Sequence, residues 1–290
     1  MRVAIVGLGL IGGSLAKDLR AKGICQEIHG VDSSQENSDK ALELGLVDNV
    51  ATLEDASSNC DLIILCTPVN AVVTLLPQIL DNISEDQTVT DVGSTKLEII
   101  ESVKDHPNRG QYIPAHPMSG TEFSGPEAAQ LDLFKNKVTV ICDPDDCWKA
   151  HLDRVCDIFK ALGMKITHMN ASEHDLNAAY VSHLSHISSF VLASTVLDKE
   201  KKVTEIFNLA GAGFESTVRL AKSSPDMWAP IFEHNNQYIV EALASYIDHL
   251  KIFHLALTTK NYDLTKALMS QSNEIKRVLE NMDKNGGSNE

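Results

Sequence analysis

The densest chemistry in the chain lies in residues 115–128, AHPMSGTEFSGPEA, directly after the short apolar run 112–113. An imidazole at His116, hydroxyls at Ser119 and Thr121 and a carboxylate at Glu122 fall together there. Such a set suits proton transfer to or from a polar ligand. Pro117, Gly120, Gly125 and Pro126 interrupt helix and strand alike, so the whole segment is expected to be a loop. A loop that leaves a strand and carries these groups is either polar connecting chain or an active site.

Two later segments also place polar groups where a core would not want them. In AAYVSHLSHISSF, residues 178–190, Ser182, His183 and His186 lie within a turn of one another. On a regular helix the two histidines, three apart, share a face. They read either as buried structural histidines or as ligand contacts. No metal is expected, because the chain has no HExxH and no carboxylate or thiolate placed to complete a site. In LAGAGFESTVRLAKSSPDMW, residues 209–228, Gly211 and Gly213 interrupt the helices and Arg219 follows. A guanidinium there is either a bidentate clamp for a substrate carboxylate or a surface ion pair.

The elements that must hold these groups begin with RVAIVGLGLIGGSLA at residues 2–16. A β-branched run is followed by Gly7-x-Gly9-x-x-Gly12, with Leu10 and Ile11 opening a helix. Glycines at this spacing allow a tight turn, close approach of backbone to pyrophosphate and close packing of helix on strand. The helix N-terminus then offers free N–H groups to the phosphates. A second strand, 27–31, ends in Asp32, where a ribose-binding acid belongs. A carboxylate suits the two ribose hydroxyls of NAD and repels a 2′-phosphate, and no arginine follows in Ser33, Ser34 or Gln35. NAD is therefore expected over NADP.

Alternation of strand and helix continues. Strands are expected over 61–66 and 88–92, helices around 39–44 and 71–80, then a strand over 137–142, a helix over 146–162 and a last strand over 165–168. This rhythm predicts a mainly parallel sheet with helices on both faces, an α/β dinucleotide-binding domain over residues 1–169. In such sheets ligands gather at the carboxyl ends of strands. Thr67, Pro68, Asp91, Ser94 and His116 all fall there, although Thr67 and Asp91 read equally well as ordinary turn residues.

From Ser172 onward no strand is convincing, and residues 170–290 read as an all-α domain. Ile231, Tyr238, Ile239, Ala242, Tyr246, Leu250, Phe253 and Leu257 follow helical steps through one long segment. A helix of that length in so small a domain leaves an apolar stripe that a second copy would cover, so a homodimer through this half is expected. NGGS at 285–288 reads as a frayed tail.

Composition limits the partners. A net charge of −15 argues against nucleic acid, which needs clustered Lys and Arg. The six cysteines form no C-x-x-C pair and read as reduced thiols of a cytoplasmic protein. Met1 runs straight into a strand without a signal-like segment, and no apolar run approaches membrane-spanning length.

Taken in order, GLGLIGGSLA, DVGSTK, HPMSGTEFSG, SHLSH and LAGAGFESTVRLAKSSPDMW resemble the prephenate and arogenate dehydrogenases of tyrosine biosynthesis across nearly the whole chain. The resemblance implies a Rossmann-type domain, a helical dimerisation domain and an active site in the cleft between them, in the minimal form of the family. His116 is similar to the family's catalytic histidine, which accepts the hydrogen of the ring hydroxyl at C4 while hydride leaves that carbon. Ser94 is similar to the serine that bonds the same hydroxyl and orients the imidazole, and Arg219 to the arginine that holds the ring carboxylate. Thr121 and Glu122 fall in the active-site loop, and Ser182, His183 and His186 on the helix that lines the substrate side chain. Ser185 stands where the family more often has proline. Gly7, Gly9, Leu10, Ile11, Gly12, Asp32, Thr67 and Pro68 make up the expected NAD site.

Two other readings stand beside this one. A β-hydroxyacid dehydrogenase or pyrroline-carboxylate reductase also joins a glycine fingerprint to a helical dimer domain, but does not account for HPMSGTE. A non-catalytic NAD-sensing protein needs the cofactor site without His116, Ser94 and Arg219 together. Between prephenate and arogenate, two histidines on the side-chain-facing helix suit a pyruvyl oxygen, which favours prephenate.

Overall fold

Strand β1 (Arg2–Val6) is buried on both faces: Val3 and Ile5 join one apolar cluster, Ala4 and Val6 the other. Alternate side chains of a strand point to opposite faces, so β1 lies inside a sheet covered on both sides. A computed structural model describes residues 1–203 and 205–280. In it eight strands form one sheet in the order β3-β2-β1-β4-β5-β6-β7-β8. They are β2 (Glu27–Val31), β3 (Asn49–Val50), β4 (Leu62–Leu65), β5 (Thr88–Asp91), β6 (Tyr112–Pro117), β7 (Val138–Cys142) and β8 (Lys165–Met169). The chain runs outward from β1 to β3 and then returns to β4 on the other side. That reversal opens a crevice beyond the ends of β1 and β4, where such sheets bind ligands.

The helices of this part cover the two faces: α1 (Leu10–Ala21), α2 (Gln35–Glu43), α3 (Leu53–Asn59), α4 (Val69–Asn82), α5 (Leu97–Glu101) and α6 (Lys149–Ala161). Leu15 and Leu19 of α1 pack with Phe159 of α6 on one face, and Val72, Leu76 and Ile79 of α4 with Ile99 of α5 on the other. The arrangement is Rossmann-type and mainly parallel, as the glycine turn and strand rhythm predict.

Two features depart from the expectation. His116 and Pro117 belong to β6 and not to a loop: Ala115, His116 and Pro117 pair with Ile141, Val140 and Thr139 of β7. The prolines are tolerated because β5 pairs with β6 only as far as Pro114, so the last three residues of β6 have a ladder partner on one side only. The β6–β7 pair is also antiparallel, while the other strand pairs are parallel. The true loop starts at Met118 and is tied to α1. Ser14 Oγ accepts from Gln130 N at 2.9 Å, Asp18 Oδ1 accepts from Asp132 N at 2.8 Å, and Lys17 Nζ donates to Ala129 O at 2.7 Å.

After β8 the described chain is helical. Asn170 and Glu173 form a capping box that starts α7 (Ala171–Ala178). A π-helical turn over Ala179–His183 leads into α8 (Leu184–Glu200), followed by α9 (Ala212–Val218), α10 (Pro225–His234), α11 (Asn236–Thr258) and α12 (Tyr262–Ser272). The long apolar segment expected from Ile231 to Leu257 is thus two helices, broken at Asn235.

By internal packing the chain divides into two compact units, Met1–Tyr238 and Ile239–Glu290. The first holds the sheet and the helices through α10. In the second, Ala242, Ala256 and Thr265 are buried, whereas Val240, Ile247, Leu250, Leu255 and Leu257 are exposed. The NGGS segment at 285–288 lies outside the described residues.

Candidate active site

The crevice at β1 and β4 has the form of a phosphate cradle. Gly7 has φ +99, and a Cβ there would lie 2.7 Å from the backbone of Cys66. A Cβ on Gly12 would lie 2.0 Å from the Gly7 carbonyl oxygen. Both glycines are therefore demanded by the fold itself. Gly9 differs: its φ of −79 is open to any residue, and a Cβ would meet nothing within 4 Å. The space kept clear at Gly9, beside the N-terminus of α1 with Leu10 and Ile11, fits a pyrophosphate. Asp32 accepts from Leu8 N at 2.7 Å and Ser34 N at 2.8 Å, which fixes its carboxylate just beyond β2. Across the crevice the Thr67 hydroxyl is buried without a partner, and Pro68 leads into α4.

His116 stands at the end of β6, 7% exposed. Its Nδ1 lies 2.7 Å from Nε2 of His174 in α7, and Nδ1 of His174 lies 2.7 Å from Oδ1 of Asp175. The Asp175 carboxylate also accepts from Lys96 N at 2.8 Å and Leu97 N at 2.9 Å, the start of α5. Burial, then the neighbouring His174, Lys96 and His183, holds His116 well below its ordinary pKa, so the imidazole is neutral at physiological pH. The imidazole is oriented by His174. The Ser94 hydroxyl, half-buried just before α5, has no hydrogen-bond partner among the described residues.

Below this group sits a buried ion pair. Lys96 Nζ meets Asp91 Oδ2, both side chains being fully buried. The Tyr112 hydroxyl donates to Asp91 Oδ1 at 2.7 Å and Gly93 N to Oδ2 at 2.8 Å. Asp91 is thus satisfied on both oxygens, and the backbone turn that carries Ser94 is fixed from beneath.

The π-helical turn keeps His183 and His186 near one another in different roles. His183 is fully buried; Asn235 Nδ2 donates to its Nδ1 at 3.1 Å, which leaves an Nε2–H donor without a partner. Burial pushes this imidazole down to about 4. His186 donates through Nδ1 to the Ser182 carbonyl at 3.1 Å and stacks on Trp228, with ring centroids 3.5 Å apart. Trp228 meets the His183 ring edge-on at 5.8 Å, and its own Nε1–H is a second buried donor without a partner.

Arg219 lies just past α9, and its Nη1 is 3.0 Å from Glu122 Oε2. Of the two readings of Arg219 the structure shows the ion pair, with a partner drawn from the loop that follows β6. Thr121 Oγ1 accepts from Phe123 N at 3.3 Å, a turn that shapes the same loop.

His174, Asp175, Lys96, Trp228 and Asn235 are absent from the sequence-based set. A faint signal exists for the first two: a His-Asp pair one turn inside a capped helix, immediately after the sheet ends. Among the described residues no group of three or more His, Cys, Asp or Glu could hold a metal ion.

Comparison with known proteins matches both parts of the chain. Residues 15–168 match the model for the nucleotide-binding domain of prephenate dehydrogenase, and residues 170–271 that for its dimerization domain. A cyclohexadienyl dehydrogenase of Zymomonas mobilis is 31% identical over 280 residues, 96% of this chain and 95% of that one. Among solved structures, prephenate dehydrogenase of Aquifex aeolicus in complex with hydroxyphenyl propionate and NAD+ is 30% identical, with a TM-score of 0.83 over 96% of this chain and 97% of that one. An arogenate dehydrogenase of Synechocystis is 29% identical, with a TM-score of 0.75 over 96% of this chain and 100% of that one.

Proposed function

The chain belongs to the prephenate dehydrogenase family, and from that premise we propose that it converts prephenate to 4-hydroxyphenylpyruvate in tyrosine biosynthesis. NAD, when bound, supplies the hydride acceptor. Gly7, Gly9, Leu10, Ile11, Gly12, Asp32, Thr67 and Pro68 would hold it, and the clear space at Gly9 together with the unpartnered Thr67 hydroxyl fits such a group.

His116 takes the proton of the C4 hydroxyl as hydride leaves that carbon. The resulting ketone accepts the electron pair of the breaking C1–carboxylate bond, CO2 departs and the ring becomes aromatic. The phenolate oxygen recovers its proton from the His116 imidazolium, so protons balance. Ser94 would bond the same oxygen, and Arg219 would hold the ring carboxylate. Positioning and a single base near its working protonation state suffice for this chemistry.

The observation that carries prephenate is the pair of buried donors, His183 Nε2 and Trp228 Nε1, that lack partners. Buried donors seek acceptors, and a pyruvyl side chain offers keto and carboxylate oxygens. Ser182 and His186 lie on the same helical segment as His183, and Thr121 and Glu122 of the loop after β6 would complete the substrate contacts. One observation favours arogenate instead: Asn235 Oδ1 is a buried acceptor without a partner, which an ammonium group would satisfy. Assays of prephenate and arogenate, each with NAD and NADP, following reduced cofactor, decide between them. Faster turnover per KM with arogenate overturns the first reading. Tight NAD binding with no reduction by either acid points to an NAD-sensing protein.

The functional halves are taken as residues 1–169 and 170–290, meeting where the sheet gives way to helices. A homodimer is inferred from the match to a dimerization domain and from the exposed apolar residues of α11, and the six free cysteines suit a cytoplasmic location. Among the described residues no helix is long and apolar enough to cross a membrane. A monomeric mass by sedimentation at micromolar concentration defeats the dimer.

A further inference from the structure

We propose that His174 and Asp175 are positioning residues that lock His116 in its Nδ1–H tautomer, so that the proton-accepting atom is Nε2. This rests on the reading of His116 as the base. The chain of contacts runs outward from the carboxylate. Asp175 Oδ1 accepts from Lys96 N at 2.8 Å and Oδ2 from Leu97 N at 2.9 Å, which fixes the carboxylate in place and orientation. An ionised carboxylate only accepts, so Nδ1 of His174, 2.7 Å from Oδ1, carries a hydrogen. A neutral imidazole protonated at Nδ1 has its lone pair at Nε2. With His174 neutral, that atom lies 2.7 Å from Nδ1 of His116, which then donates. The lone pair of His116 is left at Nε2, the nitrogen with no protein partner. A backbone anchor thus sets the protonation pattern two imidazoles away.

The surroundings leave no competing route. The titratable and charged groups that face His116 are His174 on α7, Lys96 at the start of α5 and His183 on the π-helical turn. Lys96 Nζ is engaged by Asp91, and His183 Nδ1 accepts from Asn235. Asn235 Nδ2 also donates to the Asp175 backbone carbonyl at 2.8 Å, which holds the end of α7 against the group.

Asp175 also caps α5 through its two backbone contacts, and a purely structural role predicts lower stability without a change of tautomer. Long-range nitrogen–proton NMR on protein labelled at the imidazole nitrogens, at near-neutral pH, separates the two. The His116 signals are assigned by their absence from His116→Asn. The wild type is expected to show a protonated Nδ1 and a bare Nε2. In His174→Phe this preference should be lost, with kcat falling roughly 10- to 100-fold and KM nearly unchanged. The loss should be equal at every pH on the plateau, because a tautomer ratio does not depend on pH. His174→Gln, whose carbonyl can accept from Nδ1–H, should recover part of the loss. An Nε2–H tautomer in the wild type, or wild-type kcat and tautomer in folded His174→Phe, overturns the proposal. Full turnover by His116→Asn instead removes the base assignment, a failure that leaves the tautomer measurement intact.

Discussion

The Arg219 guanidinium lies 3.0 Å from the Glu122 carboxylate, so the side chain suited to a substrate carboxylate already holds one. The pair joins residues 97 apart in the chain and half exposes Arg219. Solvent screens such a contact, and its own contribution to stability is small. Glu122 is held below the usual carboxylate range by its own backbone N–H first and by Arg219 second. It therefore stays ionised at physiological pH, and keeps Arg219 extended toward the loop after β6.

Arg219→Ala should raise KM about 10- to 100-fold, the loss of one charge-assisted pair, with kcat changed far less. A carboxylate anchor serves ground state and transition state alike. Arg219→Lys should recover little, since a point charge does not reproduce a two-pronged donor. Steady-state kinetics with saturating NAD measure both. An unchanged KM returns Arg219 to the role of a surface ion pair.

For His116 the expectation is set by burial. A base must be neutral to act, and this imidazole is held well below its ordinary value of 6.5. The kcat/KM profile should be flat through neutrality, and its acid limb should fall only below that value. His116→Asn should lose about 10^2- to 10^4-fold in kcat with substrate affinity nearly unchanged, and its residual rate should lack the limb. A limb centred at or above neutrality would contradict the buried geometry.

The strands, the glycine turn and Asp32 were legible because their signals are local: a run of β-branched residues, a fixed spacing, a strand end. His116 was legible as a chemical group but not in its setting. Proline and glycine counts suggested a loop, yet β6 runs on through Pro117 because β5 stops pairing at Pro114, a fact of register that no short window contains. The hydrophobic pattern of β7 is the same whichever way the strand runs, so its antiparallel pairing was equally hidden. His174 meets His116 across 58 residues and Asp175 meets Lys96 across 79, and only the fold brings them together. The π-helical turn before α8 shifts His183 and His186 relative to a regular helix, so spacing alone could not assign one to Asn235 and the other to the face of Trp228.

The two depressed histidines also predict how stability depends on pH. His183 is held at about 4 and His116 well below 6.5, whereas both titrate near 6.5 in the unfolded chain. Between those values the unfolded state binds protons that the folded state refuses. Stability should thus be constant with respect to these groups above 6.5 and fall as pH drops below it, by about 1.4 kcal/mol per pH unit for each group. The His183 contribution stops growing near 4. Urea denaturation across this window, compared between wild type and His183→Gln, isolates the share of His183. Parallel pH curves for the two proteins would show that His183 is not held neutral by the fold.

Gly9 and Gly12 give the sharpest test of the cofactor crevice, because the same substitution should fail for opposite reasons. In Gly12→Ala the new methyl would lie 2.0 Å from the Gly7 carbonyl oxygen and 2.9 Å from Ile5, so β1 and α1 must separate. That variant should lose stability outright, seen as a lower melting temperature with or without NAD. In Gly9→Ala the methyl meets no protein atom within 4 Å and the backbone needs no change, so melting without ligand should match the wild type. The methyl would occupy the space proposed for the pyrophosphate, and NAD binding by calorimetry should weaken severely. Normal NAD affinity in Gly9→Ala would mean that the dinucleotide does not approach the backbone at the start of α1.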